Sequence, residues 1–310
     1  MIETIKLSKS YKGKKVVDDV DIYIDEGESI GLLGPNGAGK STTISMISSL
    51  IKPSAGDVKL NGTSTIKNPA EMRRILGVVP QEIALYEELS AYENLKFFGE
   101  TYKVKRNVLE HRIQDVLNMV GLKDRQKELV KTFSGGMKRR VNIAAALLHQ
   151  PKILILDEPT VGIDPQSRNH ILETVRKLNE EKGTTVLYTS HYMEEVEQLC
   201  KRVYVMDHGK VVAAGSKAEL LSILSNEDTI QVHLSETSDE VMKKIKAIHH
   251  VHRVDEIELG LRVSAKKGSN ILSSIVHAVE SEGIQLTHFQ METPSLEDVF
   301  LHLTGRTLRD

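Results

Sequence analysis

Gly34-Pro35-Asn36-Gly37-Ala38-Gly39-Lys40-Ser41-Thr42 is a glycine-rich turn that ends in a lysine and two hydroxyls. It stands between an apolar run, Ser29 to Leu33, and a helical pattern, and its spacing matches the P-loop pattern in the strand-then-helix context that gives that pattern meaning. The glycines let backbone N–H groups turn inward around a β-phosphate, and the helix N-terminus adds the positive end of its dipole. Lys40 can bridge β- and γ-oxygens, and Ser41 can offer its hydroxyl to Mg²⁺. This stretch predicts a nucleoside triphosphate site in an α/β fold.

Two further stretches extend the site. Ile153-Leu154-Ile155-Leu156-Asp157-Glu158 reads as an apolar strand ending in two carboxylates, where ligands gather in α/β folds. Asp157 is placed to hold Mg²⁺ through water, and Glu158 to accept a proton from an attacking water. Phe133-Ser134-Gly135-Gly136-Met137 leads into the helical run Lys138 to His149, a second glycine-led helix N-terminus suited to an anion. By spacing alone, both cradles could face one nucleotide within the chain, or each could complete a site on a second copy.

Short strand-like runs alternate with helical patterns through about residue 220, which predicts a mainly parallel sheet flanked by helices. Ser29 to Leu33, Ile153 to Leu156 and Thr184 to Thr189 read as buried strands, while Ser90 to Gly121 and Gly136 to His149 read as helices of an insertion over about residues 85–150. After a polar break at Asn226-Glu227-Asp228 the order becomes strand, helix, two strands, helix, strand, a small ferredoxin-like α+β unit. The expected domains are residues 1–224 and 226–310.

Composition limits the partners. With 310 residues, 40% hydrophobic and 27% charged, the chain can bury a substantial core. A formal charge of −2 argues against nucleic acid as the main partner, since phosphate backbones call for clustered Lys and Arg; Lys12 to Lys15 and Lys138 to Arg140 read as solvated faces. The single cysteine, Cys200, can form neither an internal disulfide nor a cysteine-rich metal site. His249 and His250 would point to opposite faces of a strand, so no metal site is expected there with His252. The most apolar runs, Ile143 to Leu148 and Ile153 to Leu156, are too short to span a bilayer, and the N-terminus lacks a secretory pattern, so a cytoplasmic protein is expected.

In order and spacing, these three elements resemble the nucleotide-binding domain of the ATP-binding cassette family. Tyr11 matches the aromatic that stacks on adenine, Gln81 the glutamine between sheet and helical insertion, Asp164 the aspartate after the carboxylate strand, and His191 the switch histidine. The resemblance implies a P-loop NTPase core with an antiparallel β edge and a head-to-tail homodimer that sandwiches ATP. Ser134, Gly135 and Gly136 of one copy would meet the γ-phosphate held by Lys40 of the other. Mg²⁺ would be held by Ser41 and Gln81 with Asp157 in its outer shell, His191 would contact the γ-phosphate, and Glu158 would polarise the water. The partner would be a separate membrane permease, docked near Leu85 to Phe98 through exposed Tyr86 and Tyr92, with the chain peripheral on the inner face of the membrane.

Met137 replaces the common glutamine of the family signature and Val161-Gly162-Ile163 the frequent serine-alanine-leucine; neither change removes a catalytic group. The tail Pro294-Ser295-Leu296-Glu297-Asp298-Val299-Phe300-Leu301 resembles the ending of multidrug and daunorubicin-resistance exporter ATPases. A soluble regulatory ATPase, uncoupled from transport, is the competing expectation. Cassettes that serve ribosomes or DNA carry a second cassette, a coiled coil or cysteine-rich insertions, and this sequence has none of them.

Overall fold

The computed structural model describes residues 1–190, 192–224, 227–292 and 295–305. It divides into two compact units, one built on Met1–Lys217 and the other on Ala218–His302. The chain opens with β1 (Ile2–Tyr11), β2 (Lys14–Val20), β3 (Tyr23–Ile24), β4 (Ser29–Leu33), α1 (Lys40–Ile47), β5 (Ala55–Leu60), β6 (Thr63–Ser64), α2 (Pro69–Ile75) and β7 (Leu76–Val79). The insertion follows as α3 (Ala91–Thr101), α4 (Arg106–Met119) and α5 (Gly135–Leu147). Then come β8 (Ile153–Leu156), α6 (Pro165–Lys182), β9 (Thr185–Thr189), α7 (Met193–Leu199), β10 (Arg202–Asp207), β11 (Lys210–Ser216) and α8 (Lys217–Ser222).

In the first unit a six-stranded sheet runs β11-β10-β4-β9-β8-β7. All neighbours are parallel except the hairpin of β10 and β11. Every residue of β4, β8 and β9 is buried, the continuous apolar pattern of a sheet covered on both faces. On one face, Ile30 and Leu32 share a core with Ile44 and Ile47 of α1 and with Ile2, Leu7, Val58 and Leu60 of the antiparallel sheet β2-β1-β5-β6. On the other, Gly31 leaves room for α7: a Cβ there would stand 2.5 Å from Val196 Cγ1.

The stretch 90–121, expected as one helical region, is two helices. The chain breaks after Thr101, and Lys103 takes a left-handed φ of 58° without a Gly or Pro to mark the turn. The break folds α4 back so that Leu109 Cδ1 fills the space a Cβ on Gly99 would occupy, 2.2 Å away, and Leu95, Leu109 and Ile113 are buried. A capping box between Ser90 and Glu93 fixes the start of α3.

The second unit comprises β12 (Glu227–Leu234), α9 (Asp239–Lys246), β13 (Val251–Ile257), β14 (Gly260–Lys266), α10 (Leu272–Glu280), β15 (Leu286–Glu292) and the start of α11 (Leu296–Thr304). Its antiparallel sheet is ordered β13-β14-β12-β15, the ferredoxin-like arrangement that the element order predicts. Ile230, Val232, Leu261 and Val263 pack on Val241 and Ile245 of α9 and Ile275 and Val279 of α10. The tail motif turns out to be a helix start: Ser295 and Asp298 cap each other's backbone N–H groups and Leu296, Val299 and Phe300 are buried. The S-x-x-D spacing is the signal. Pro294 lies outside the described residues.

Cys200 follows α7, partly exposed as a residue, with Ser29 Oγ 3.8 Å from its sulfur, and desolvation of the sulfur pushes its thiol up to about 12. The thiolate is the reactive form. Native protein at neutral pH is therefore expected to react slowly with a thiol-specific reagent, with one equivalent reacting faster on addition of denaturant; equal rates in the two states would contradict the raised thiol pKa.

Candidate nucleotide site

The P-loop spans the carboxyl end of β4 and the first turn of α1. Gly39 precedes the helix at φ 101°, a conformation that favours glycine, and a Cβ there would also meet the Val16 carbonyl at 2.8 Å. Gly34 lies equally close to β10, its missing Cβ 2.5 Å from the Met206 carbonyl. Between them Pro35 and Ala38 are buried while Asn36 and Gly37 face outward. On α1, Ser41 is exposed and Thr42 half-buried, so hydroxyls stand at the helix entrance.

Lys40 is 5% exposed. Its Nζ donates to the carbonyls of Gly34 (2.7 Å) and Pro35 (3.2 Å) and stands 3.6 Å from Glu158 Oε1. Burial pulls its pKa below the usual lysine value, against the opposing pull of Glu158 and Asp157.

Both carboxylates are buried, Glu158 to 4% exposure, and one threonine sets them. Thr189 Oγ1 donates to Asp157 Oδ1 (2.8 Å) and accepts from the Glu158 backbone N–H (2.8 Å). Gln81 Nε2 donates to Glu158 Oε2 at 3.1 Å. Its loop is tied down by Arg139 of α5, which donates to the carbonyls of Pro80 (2.5 Å) and Gln81. Arg139 corrects the reading of Lys138 to Arg140 as a solvated face: it is 4% exposed, and burial lowers its pKa. Thr189 and Arg139 are site residues that the sequence did not single out; an Arg within a basic run gives no sign of being buried.

The structure thus brings together Lys40, Gln81, Asp157 and Glu158. Ser134, Gly135, Gly136, Met137 and Asp164 form a second group. Ser134 caps α5 by accepting from the Met137 backbone N–H, and Asp164 caps α6 by accepting from Ser167 N–H. Hydrogen bonds from the Ser167 backbone and hydroxyl hold the Asp164 carboxyl below its usual range. Met137 is nearly buried, with Arg125 Nη1 3.3 Å from its sulfur. Tyr11 is exposed at the end of the β1–β2 hairpin, under Lys9. His191 lies outside the described residues.

The donor set suits a nucleotide with Mg²⁺: a hydroxyl, an amide and carboxylates are the oxygen ligands a hard cation takes, and a lysine at a glycine-lined helix entrance suits phosphate.

The profile of the ABC transporter family matches residues 17–161. A second profile, the C-terminal domain of DrrA1-3-like ATP-binding proteins, matches residues 215–304. The linearmycin resistance ATP-binding protein LnrL of Bacillus subtilis (strain 168) is 48% identical over 312 residues, covering 100% of both chains. The daunorubicin/doxorubicin resistance ATP-binding protein DrrA of Streptomyces peucetius is 37% identical, covering 100% of this chain and 94% of its own. Among solved structures, a dimeric post-hydrolysis state of an ATP-binding cassette bound to ADP and Pi superposes with a TM-score of 0.64 at 28% identity, covering 70% of this chain and 98% of its own.

Gly135 and Gly136 differ in what a methyl group would meet. At Gly136 a Cβ would stand 2.2 Å from Ser167 Oγ and 2.7 Å from Asp164 Oδ2; at Gly135 the nearest atom is 3.9 Å away. Gly136→Ala is expected to lower the stability read by chemical denaturation by about 1–3 kcal/mol. Gly135→Ala is expected to be neutral or to gain up to about 1 kcal/mol from helix propensity.

Proposed function

Because this chain belongs to the family of ATP-binding subunits of ABC transporters, and is an ATPase of that family, we propose that it drives an exporter from the inner face of the membrane by closing, as a head-to-tail homodimer, over two Mg-ATP molecules. The observation that carries the site reading is the meeting of Lys40, Gln81 and Glu158 at the carboxyl ends of the parallel strands. The names of the two relatives, both resistance ATP-binding proteins, support export. No described helix is long and apolar enough to cross a membrane, which supports a peripheral subunit working with a separate permease.

In this reading the P-loop amides and Lys40 hold the β- and γ-phosphates, and Tyr11 stacks on adenine. Mg²⁺, when bound, neutralises phosphate charge from a shell of Ser41, Gln81 and Asp157. Glu158 orients the attacking water and takes its proton, with Oε2 anchored by Gln81 and its backbone N–H by Thr189. Ser134, Gly135 and Gly136 of the second copy meet the γ-phosphate, beside Asp164 and Met137, and His191 stabilises the charge that develops there. Since Ser134 and Asp164 cap helices in their own copy, their outward faces are positioned before the copies meet. Residues 1–224 act as the nucleotide-binding domain and 226–310 as an accessory domain.

The permease surface lies on the insertion. Tyr86, 51% exposed, stacks edge-on against Phe97 at 4.9 Å, and Phe98 lies 5.5 Å from Phe97, an apolar patch beside the loop of Gln81. Tyr92, expected as exposed, is partly buried and donates its hydroxyl to Glu110 at 2.6 Å, so Phe97 takes its place.

Two experiments test this reading. Glu158→Gln should lower kcat by about 10²- to 10⁴-fold and leave an ATP-dependent dimer on size-exclusion chromatography; full turnover, or binding without hydrolysis in wild type even with permease, would favour the regulatory ATPase. Tyr86→Ala with Phe97→Ala should abolish stimulation by permease, measured against the isolated subunit's own rate; unchanged stimulation would move docking elsewhere.

A further inference from the structure

One buried carboxylate is not used by the mechanism above. Glu195, on α7, is 2% exposed and gathers partners from three other segments. Its Oε2 accepts from Ser190 Oγ (2.6 Å), Thr160 Oγ1 (2.8 Å) and Tyr188 OH (2.9 Å). Its Oε1 pairs with Arg168 Nε at 2.8 Å, and the Arg168 guanidinium lies over the Tyr192 ring at 3.8 Å. Burial and the neighbouring Glu195 charge push the Tyr188 hydroxyl well above its usual pKa, so it remains a donor.

Each partner belongs to a segment with a stake in hydrolysis. Thr160 follows Glu158 by two residues. Tyr188 and Ser190 flank Thr189, the residue that holds Asp157 and the Glu158 backbone, and Ser190 immediately precedes His191 in sequence. Arg168 sits on the first turns of α6, one residue beyond Ser167, whose hydroxyl together with Asp164 occupies the space beside Gly136. The packing of α7 on β4 is supplied separately by Val196 against Gly31. Burying a carboxylate costs several kcal/mol unless its partners compensate, and here those partners are drawn from the segments around the site.

We propose that Glu195 is a positioning residue for hydrolysis: its carboxylate fixes the Glu158 loop against the strand end that leads to His191. Through Arg168 it couples both to the helix that carries Asp164 against the signature glycines. The inference rests on the reading of Glu158 as the base. Nucleotide binding, made by the P-loop, does not pass through this carboxylate, so its loss falls on turnover rather than on affinity. Misplacement of a reacting group by about 1 Å costs up to about 10²-fold in rate.

The test measures kcat, KM for Mg-ATP and thermal unfolding for Glu195→Gln, Arg168→Gln, the double variant and Glu158→Gln. Glu195→Gln keeps an acceptor for the hydroxyls but loses the charge that faces Arg168; Arg168→Gln leaves the three hydroxyl bonds in place and serves where the buried variant fails to fold. The expected result is a kcat lowered about 10-fold or more in each single variant, KM within about twofold, and a double variant no worse than either single one. A folded Arg168→Gln protein with wild-type kcat, or losses that multiply in the double variant, would overturn the coupling. A Glu158→Gln protein that still turned over would instead remove the reading of Glu158, an outcome distinct from both.

Discussion

The ammonium of Lys40 is held out of water, and the arrangement around it keeps the charge tolerable there. Two loop carbonyls accept from it and Glu158 faces it. A buried charge without such partners would cost several kcal/mol. Sheet order makes the pairing possible: β4, β9, β8 and β7 are successive neighbours, and Lys40, Thr189, Asp157 with Glu158, and Gln81 follow them in turn. The site is the row of carboxyl ends of four adjacent parallel strands, the place where α/β sheets bind ligands.

Much of this was legible in the sequence because it is local. The P-loop reports itself through glycines whose conformation or missing Cβ the chain requires, and the carboxylate strand through an apolar run that stops at two acids. The βαββαβ order of the second unit followed from period and turn signals, and its sheet order follows from that connection. What could not be read were contacts set by tertiary packing. The break between α3 and α4 carries no Gly or Pro; it exists because Leu109 seats against Gly99. Arg139 looks like any member of a basic run until α5 is laid against the Gln81 loop. Glu195 lies among other acidic residues on a short helix, and only the fold gathers three hydroxyls and a guanidinium on it.

The same contacts link the P-loop side of the sheet to the second cluster, Ser134 to Met137 with Asp164. α5 begins at the signature glycines and reaches the glutamine loop through Arg139. α6 begins at Asp164 beside Gly136 and reaches the carboxylate end of the sheet through Arg168 and Glu195. In the proposed dimer these two helices would couple closure to chemistry, since each joins the Gly135–Gly136 cluster to the carboxylate end of the sheet within one copy.

Glu158 has a backbone φ of 48°, in the left-handed region where a residue with a side chain pays roughly 1–2 kcal/mol. Thr189 holds that conformation from the next strand. A glycine would occupy the position with less backbone strain but would leave the Lys40 ammonium without the carboxylate that faces it, so backbone and electrostatics pull in opposite directions at this one residue. The strain at Glu158 is therefore held in place by its charge partner as well as by Thr189, and a change that relaxes the backbone there uncovers a lone ammonium in the interior.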